Sequence, residues 1–132
     1  MSDWTATDLD RIGAAEEIDI APQRADGSAG PYVTIWVVRV GDELYVRSYR
    51  GRQGQWFRHA LASGAGSIRV AGAEREVVIE GPSDADHGAI DRVYLDKYAG
   101  HDRGSVEAMV APAAVETTLR LAPSEREAAA GL

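Results

Sequence analysis

The chain contains no cysteine, a single lysine and a single phenylalanine. The missing thiols exclude disulfides, thiolate metal sites and a cysteine nucleophile. No apolar run approaches the roughly 18 residues that a membrane helix needs, and the opening Met1-Ser2-Asp3-Trp4 lacks the basic flank and apolar core of a signal peptide. The expectation is a soluble bacterial protein of the cytoplasm with no membrane partner. Positive charge is also scarce: the net charge is −7, which excludes general affinity for nucleic acid, because phosphate backbones attract basic faces.

The average conceals a local reversal. From Leu44 to Ala73 there are five arginines (Arg47, Arg50, Arg52, Arg58 and Arg69) and no Asp or Glu, so this segment is +5 and the remainder is −12. An acidic protein with such a stretch points to an anionic small-molecule ligand bound there, since the guanidinium fork matches phosphate or carboxylate. The competing reading is that these arginines pair with surplus acids across the surface.

With 132 residues, 45% of them hydrophobic, the chain can bury one core. One domain is expected over 1–122, with a flexible C-terminal tail over 123–132. A capping box of Thr7 and Asp10 predicts a short helix over Asp8 to Ala15. Glu17 to Ile20 alternates as a strand, Ala21 to Pro31 is a loop, and Tyr32 to Val40 reads as one long apolar strand. A Val40-Gly41-Asp42-Glu43 turn leads into a strand from Leu44 to Tyr49. After the Gly51 to Gly54 loop, Gln55 to Ala62 places Trp56, Phe57, Ala60 and Leu61 at helical spacing. A hairpin of Ser67 to Val70 and Glu74 to Glu80 turns through Ala71-Gly72-Ala73. Ser83 with Asp86 predicts a capping box opening a helix to Tyr98, and Ser105 to Val110 adds one further turn. Val115, Thr117, Leu119 and Leu121 alternate as a final strand. Six short strands broken by helices do not give β-α-β alternation; they fit an α+β fold, a small, mostly antiparallel barrel flanked by short helices.

Several local motifs carry a resemblance. Thr34 to Val40, the Val-Gly-Asp turn at Val40, Tyr45-Val46-Arg47-Ser48, the Gly51 to Gly54 loop, the aromatic-then-Leu helix of Trp56 to Leu61 and the hairpin of Ile68 to Glu80 resemble the split β-barrel flavin and deazaflavin reductases, the FMN-binding split-barrel-like fold. Trp4-Thr5, Asp8-Leu9, Ile20-Ala21-Pro22, Arg24 and Asp26-Gly27-Ser28 are similar to a bacterial group within that superfamily, domain-of-unknown-function family 2255. The resemblance implies FMN or a deazaflavin coenzyme as cofactor, small-molecule reduction as activity, and pairing into a homodimer. Carried over by position, it implies coenzyme contacts at Arg24, Ser28, Arg47, Ser48, Arg50, Arg52, Trp56 and Arg58. The first loop reads Arg24-Ala25-Asp26-Gly27-Ser28 where the deazaflavin enzymes show Gly-Arg-x-Ser-Gly, so a phosphate there requires Asp26 to turn away.

From the residues themselves, Tyr49 at a strand end beside the basic loop and His59 on the basic helix are the candidate catalytic groups; for His59 the plain alternative is a solvent-exposed histidine. Trp36 reads as core. His59, His87 and His101 are too scattered for a metal set. No nucleophile elbow, phosphate loop or dinucleotide fingerprint occurs. Besides the coenzyme-dependent reductase, two readings stay open: a cofactor-independent barrel enzyme, an isomerase or cyclase acting on an acidic metabolite, and a ligand-binding module without catalysis.

Overall fold

The structure is a computed structural model that describes residues 4–24, 26–28, 30–81 and 85–124. Its strands are β1 (Glu17–Pro22), β2 (Val33–Trp36), β3 (Val38–Val40), β4 (Glu43–Val46), β5 (Ala65–Val70), β6 (Ala73–Glu80) and β7 (Leu119–Pro123). The helices are α1 (Ala6–Ala14), α2 (Gln55–Ser63), α3 (His87–Lys97), α4 (Arg103–Val110) and α5 (Pro112–Val115), with a 3-10 turn at Gly51–Gln53. All seven strands form one antiparallel sheet in the order β2-β1-β5-β6-β7-β4-β3. The two edge strands are neighbours along the chain, so the sheet curls back on itself into a nearly closed barrel.

The expected strand from Tyr32 to Val40 is thus two strands, which makes seven where six were predicted. The break is at Val37, and side chains of α3 hold it. The Tyr98 hydroxyl accepts from Val37 N at 3.2 Å and lies 2.7 Å from Glu16 O, while Lys97 Nζ donates to Val37 O at 2.6 Å. A uniformly apolar run suits this path because the segment is covered on both sides. Val37, Leu44 and Val46 pack inside the barrel with Ile18, Ile20, Ile68 and Leu121. Val38 and Tyr45 pack outward against Ile90, Tyr94, Tyr98, Val106 and Met109 of the helices. Each fully buried Ile or Leu contributes about 1.5–3 kcal/mol.

Other boundaries move for local reasons. The cap of α1 is Thr5, whose hydroxyl accepts from Asp8 N, rather than Thr7. Asp86 caps α3 itself by accepting from Ala89 N; its predicted partner Ser83 lies outside the described residues. Leu61, predicted on the packed face of α2, is exposed. Asp102 caps α4 and carries it through two turns. Val115 and Thr117 precede the last strand: Pro112 opens α5, and the Thr117 and Thr118 hydroxyls donate to Ala114 O and Val115 O at its end. The β5–β6 turn is the expected one, with Ala71 and Gly72 both left-handed at φ 50° and 81°. Strand β7 continues to Pro123, opposite Val77, and the expected tail from 125 onward lies outside the described residues.

Half-burial lowers the pKa of Lys97 to about 8. A base whose folded pKa lies below its unfolded value binds fewer protons when folded, so stability rises with pH between about 8 and the ordinary lysine range. Urea unfolding of the wild type should show that rise from pH 8 to 10, and Lys97→Met should flatten it. A parallel rise in the variant would show that another group causes it.

Candidate functional site

Strand β4 pairs with β3 through Tyr45 opposite Val38. Continued along the chain, that register would set Arg47 opposite Trp36; instead β2 swings away to pair with β1, and the chain after Val46 leaves the sheet. The divergence opens a cleft of about 690 Å³ between β2, residues 47–50 and the start of α2, with Ser105 and Met109 of α4 at its margin.

Six of the ten predicted site residues line this cleft: Arg47, Ser48, Tyr49, Arg50, Trp56 and Arg58. Three arginines and no carboxylate are among its lining residues. Gly54, which caps α2 without a side-chain hydrogen bond, leaves first-turn N–H groups of that helix to add positive character. Trp56 is half-buried on the cleft wall, its ring edge-on to Phe57.

The arginines are not equivalent. Arg47 is fully buried: Nε donates to Thr118 Oγ1 at 2.9 Å, and Nη1 donates to Asp91 Oδ1 at 2.6 Å and to Met109 O at 3.0 Å. Its guanidinium lies over the Tyr94 ring, 5.3 Å from the centroid. It is therefore foremost a strut joining the end of β4 to α3, α4 and the segment before β7, which corrects the expectation of a free guanidinium. Burial pushes the Tyr94 phenol well above its ordinary pKa, keeping it protonated. The nearby Arg47 main-chain N–H favours its ionised form slightly, without the geometry of a hydrogen bond. Arg52 stands outside the cleft lining, 3.6 Å from Glu116. Arg50 and Arg58 are exposed and, among the described residues, have neither an ion pair nor a side-chain hydrogen bond. They are the charges available to a ligand.

The remaining candidates sit apart. Arg24 and His59 line a smaller cavity of about 190 Å³ that shares Val33, Gln55 and Trp56 with the main cleft. Tyr49, 60% exposed, and His59 thus belong to different cavities. Ser28 lines neither; its N–H and hydroxyl donate to Asp26 Oδ1 at 2.9 and 2.6 Å. Those two bonds hold the Asp26 carboxyl below its ordinary pKa and turn it onto its own loop.

Sequence reasoning missed Thr34, Gln53, Gln55, Ser105 and Met109 as lining residues, and it placed Trp36 in the core. Trp36 lines the cleft and stacks flat on Tyr98, with ring centroids 4.0 Å apart. Its sequence signal was only the alternation that sets Thr34 and Trp36 on one side of β2. His101 meets Glu16 at 2.5 Å, and no group of three or more His, Asp or Glu suited to a metal occurs among the described residues.

The sequence matches a family described as "Uncharacterized protein conserved in bacteria (DUF2255)" over residues 8–121. No curated protein matches it. Among solved structures, the chain is similar to an F420 reductase, with a TM-score of 0.60 at 18% identity over 88% of this chain and 92% of that one. It is also similar to HutZ, a heme storage protein from Vibrio cholerae, with a TM-score of 0.59 at 11% identity over 90% and 89% of the two chains. A FAD-binding protein from Mesorhizobium loti gives 0.52 at 17% identity over 92% and 89%. At these identities the likeness shows the split-barrel fold, and the site has to be argued from its residues.

Proposed function

The chain belongs to the DUF2255 family, and from that premise and the cleft we propose that it is a small-molecule oxidoreductase of the split-barrel type that binds a flavin or deazaflavin coenzyme. One observation carries the reading: in a protein of net charge −7, the largest cleft is lined by three arginines and no acid. The residues suit such a group. Arg50 and Arg58 can hold its phosphate, the Trp56 indole offers a flat wall for its ring, and about 690 Å³ is within the usual size of a small-molecule site. When bound, the coenzyme supplies hydride transfer. This chain's residues bind and orient: β2 forms one side, Trp56 and the start of α2 the other, and Tyr49 stands at the mouth, where its hydroxyl can reach a substrate.

The loop carrying Asp26 is no obstacle, because that carboxylate is engaged by Ser28. A second reading, a cofactor-independent enzyme or binder for an acidic metabolite, is favoured by the smaller cavity holding Arg24 and His59. Absorbance of the purified protein, followed by titration with FMN and with F420, separates the two. The coenzyme reading expects a bound chromophore or saturable binding of at least one; no binding of either rejects it.

A further inference from the structure

Among the described residues, three buried side-chain polar atoms have no hydrogen-bond partner: Arg47 Nη2, Ser48 Oγ and the Tyr94 hydroxyl. Buried polar groups are nearly always paired, and an unpaired one costs about 1–3 kcal/mol. Here all three fall in one place. Arg47 and Ser48 are consecutive and both line the cleft, and the Arg47 guanidinium rests on the Tyr94 ring. The surrounding polar groups are fully used: Thr117 Oγ1 accepts from Ser48 N and donates to Ala114 O, while Thr118 Oγ1 serves Arg47 Nε and Val115 O. The fold thus satisfies every neighbour and leaves these atoms idle.

Gly54 adds a second observation. Its φ of −60° and ψ of 125° are open to any residue, so its backbone does not call for glycine. A Cβ there would instead collide with Ser48 Oγ. The missing side chain leaves room at that hydroxyl, on a residue that itself lines the cleft.

We infer that the floor of the cleft is a preformed seat in which Arg47 Nη2 and Ser48 Oγ receive the acceptor-bearing edge of a planar ring, while Arg50 and Arg58 hold negative charge at the mouth. Arg47 Nη2 can only donate, so the ligand edge must present a carbonyl oxygen, a ring nitrogen or an oxyanion. The pyrimidinedione edge of a flavin or deazaflavin meets that demand, and in this respect the inference rests on the coenzyme reading. Idle buried donors are also the signature of a site that gives up stability for binding.

Ser48→Ala and Gly54→Ala test the seat in two readouts. Without ligand, Ser48→Ala should melt at the wild-type temperature or a few degrees higher, because it removes a buried hydroxyl that has no partner. Both variants should lose about tenfold or more in affinity for FMN and for lumichrome, the flavin ring without its phosphate-bearing chain. Arg50→Ala should weaken FMN alone. A Ser48→Ala protein that melts several degrees lower overturns the inference, since the hydroxyl then serves the fold through an internal water. Unchanged affinity for both flavins in both variants also overturns it and leaves the coenzyme reading standing. If the wild type binds neither flavin, the coenzyme reading falls and orotate, a planar dione with a carboxylate, reads the seat. Orotate binding that is lost in Ser48→Ala then sustains the inference, and absence of orotate binding overturns it.

Discussion

Arg47→Ala should destabilise the protein more than replacement of any other arginine in the basic segment, by about 3 kcal/mol, or roughly 10 °C in Tm. Removing it leaves Thr118 Oγ1, Met109 O and the Asp91 carboxylate without their shared donor. The figure is at the low end for a buried pair made one-sided, because the Asp91 side chain keeps 32% of its exposure to water. Arg47→Lys should recover only part of the loss, since one ammonium cannot replace the three-way fork. The measurement is thermal or urea unfolding of the three proteins; an Arg47→Ala protein of wild-type stability would mean that the strut carries no load. The same geometry makes Arg47→Ala a poor probe of ligand binding, because it would disturb the cleft floor whatever the cleft holds.

Arg50→Ala and Arg58→Ala should each lower affinity for FMN or F420 by about tenfold or more, and the double variant by about a hundredfold or more, at unchanged stability. The basis is that each charge-assisted contact to phosphate is worth about 1.5–3 kcal/mol net, and about 1.4 kcal/mol is a factor of ten. Both side chains are exposed and without protein partners among the described residues, so their loss leaves nothing in the fold unsatisfied. Arg52→Ala is the internal control: it has the same charge and lies on the same loop, but it faces Glu116 away from the cleft, so its effect should be within twofold. Raising salt should weaken wild-type binding and narrow the gap to the double variant. Equal losses in Arg50→Ala, Arg58→Ala and Arg52→Ala would mean that only general charge is being read.

Much of this was legible in the sequence because it depends on local chemistry. The Ala71-Gly72 turn, the helix opened after Gly54 and the acid-free arginine run are properties of a few adjacent residues. The break at Val37 was not legible, because its cause is 60 residues away: the Lys97 ammonium and the Tyr98 hydroxyl seize one peptide unit in the middle of an apolar run. Reading Arg47, Arg50, Arg52 and Arg58 as one set failed for the same reason. Which of them is free is decided by Asp91, Thr118 and Glu116, whose positions depend on how α3 and the segment after α5 pack. Trp36 was read as core because composition cannot distinguish a tryptophan inside a barrel from one lining the split in its wall. The grouping of Arg47, Ser48, Trp56 and Arg58 was recoverable, since a strand end and the helix that follows a short glycine loop must stay close in space.

The most direct test of the account is a crystal structure of the protein soaked with the flavin or deazaflavin that it binds most tightly. The account predicts the ring between β2 and Trp56, its acceptor edge toward Arg47 and Ser48, and its phosphate within hydrogen-bond distance of Arg50 or Arg58. Coenzyme density elsewhere on the molecule, or a cleft that stays empty at saturating coenzyme, would contradict it.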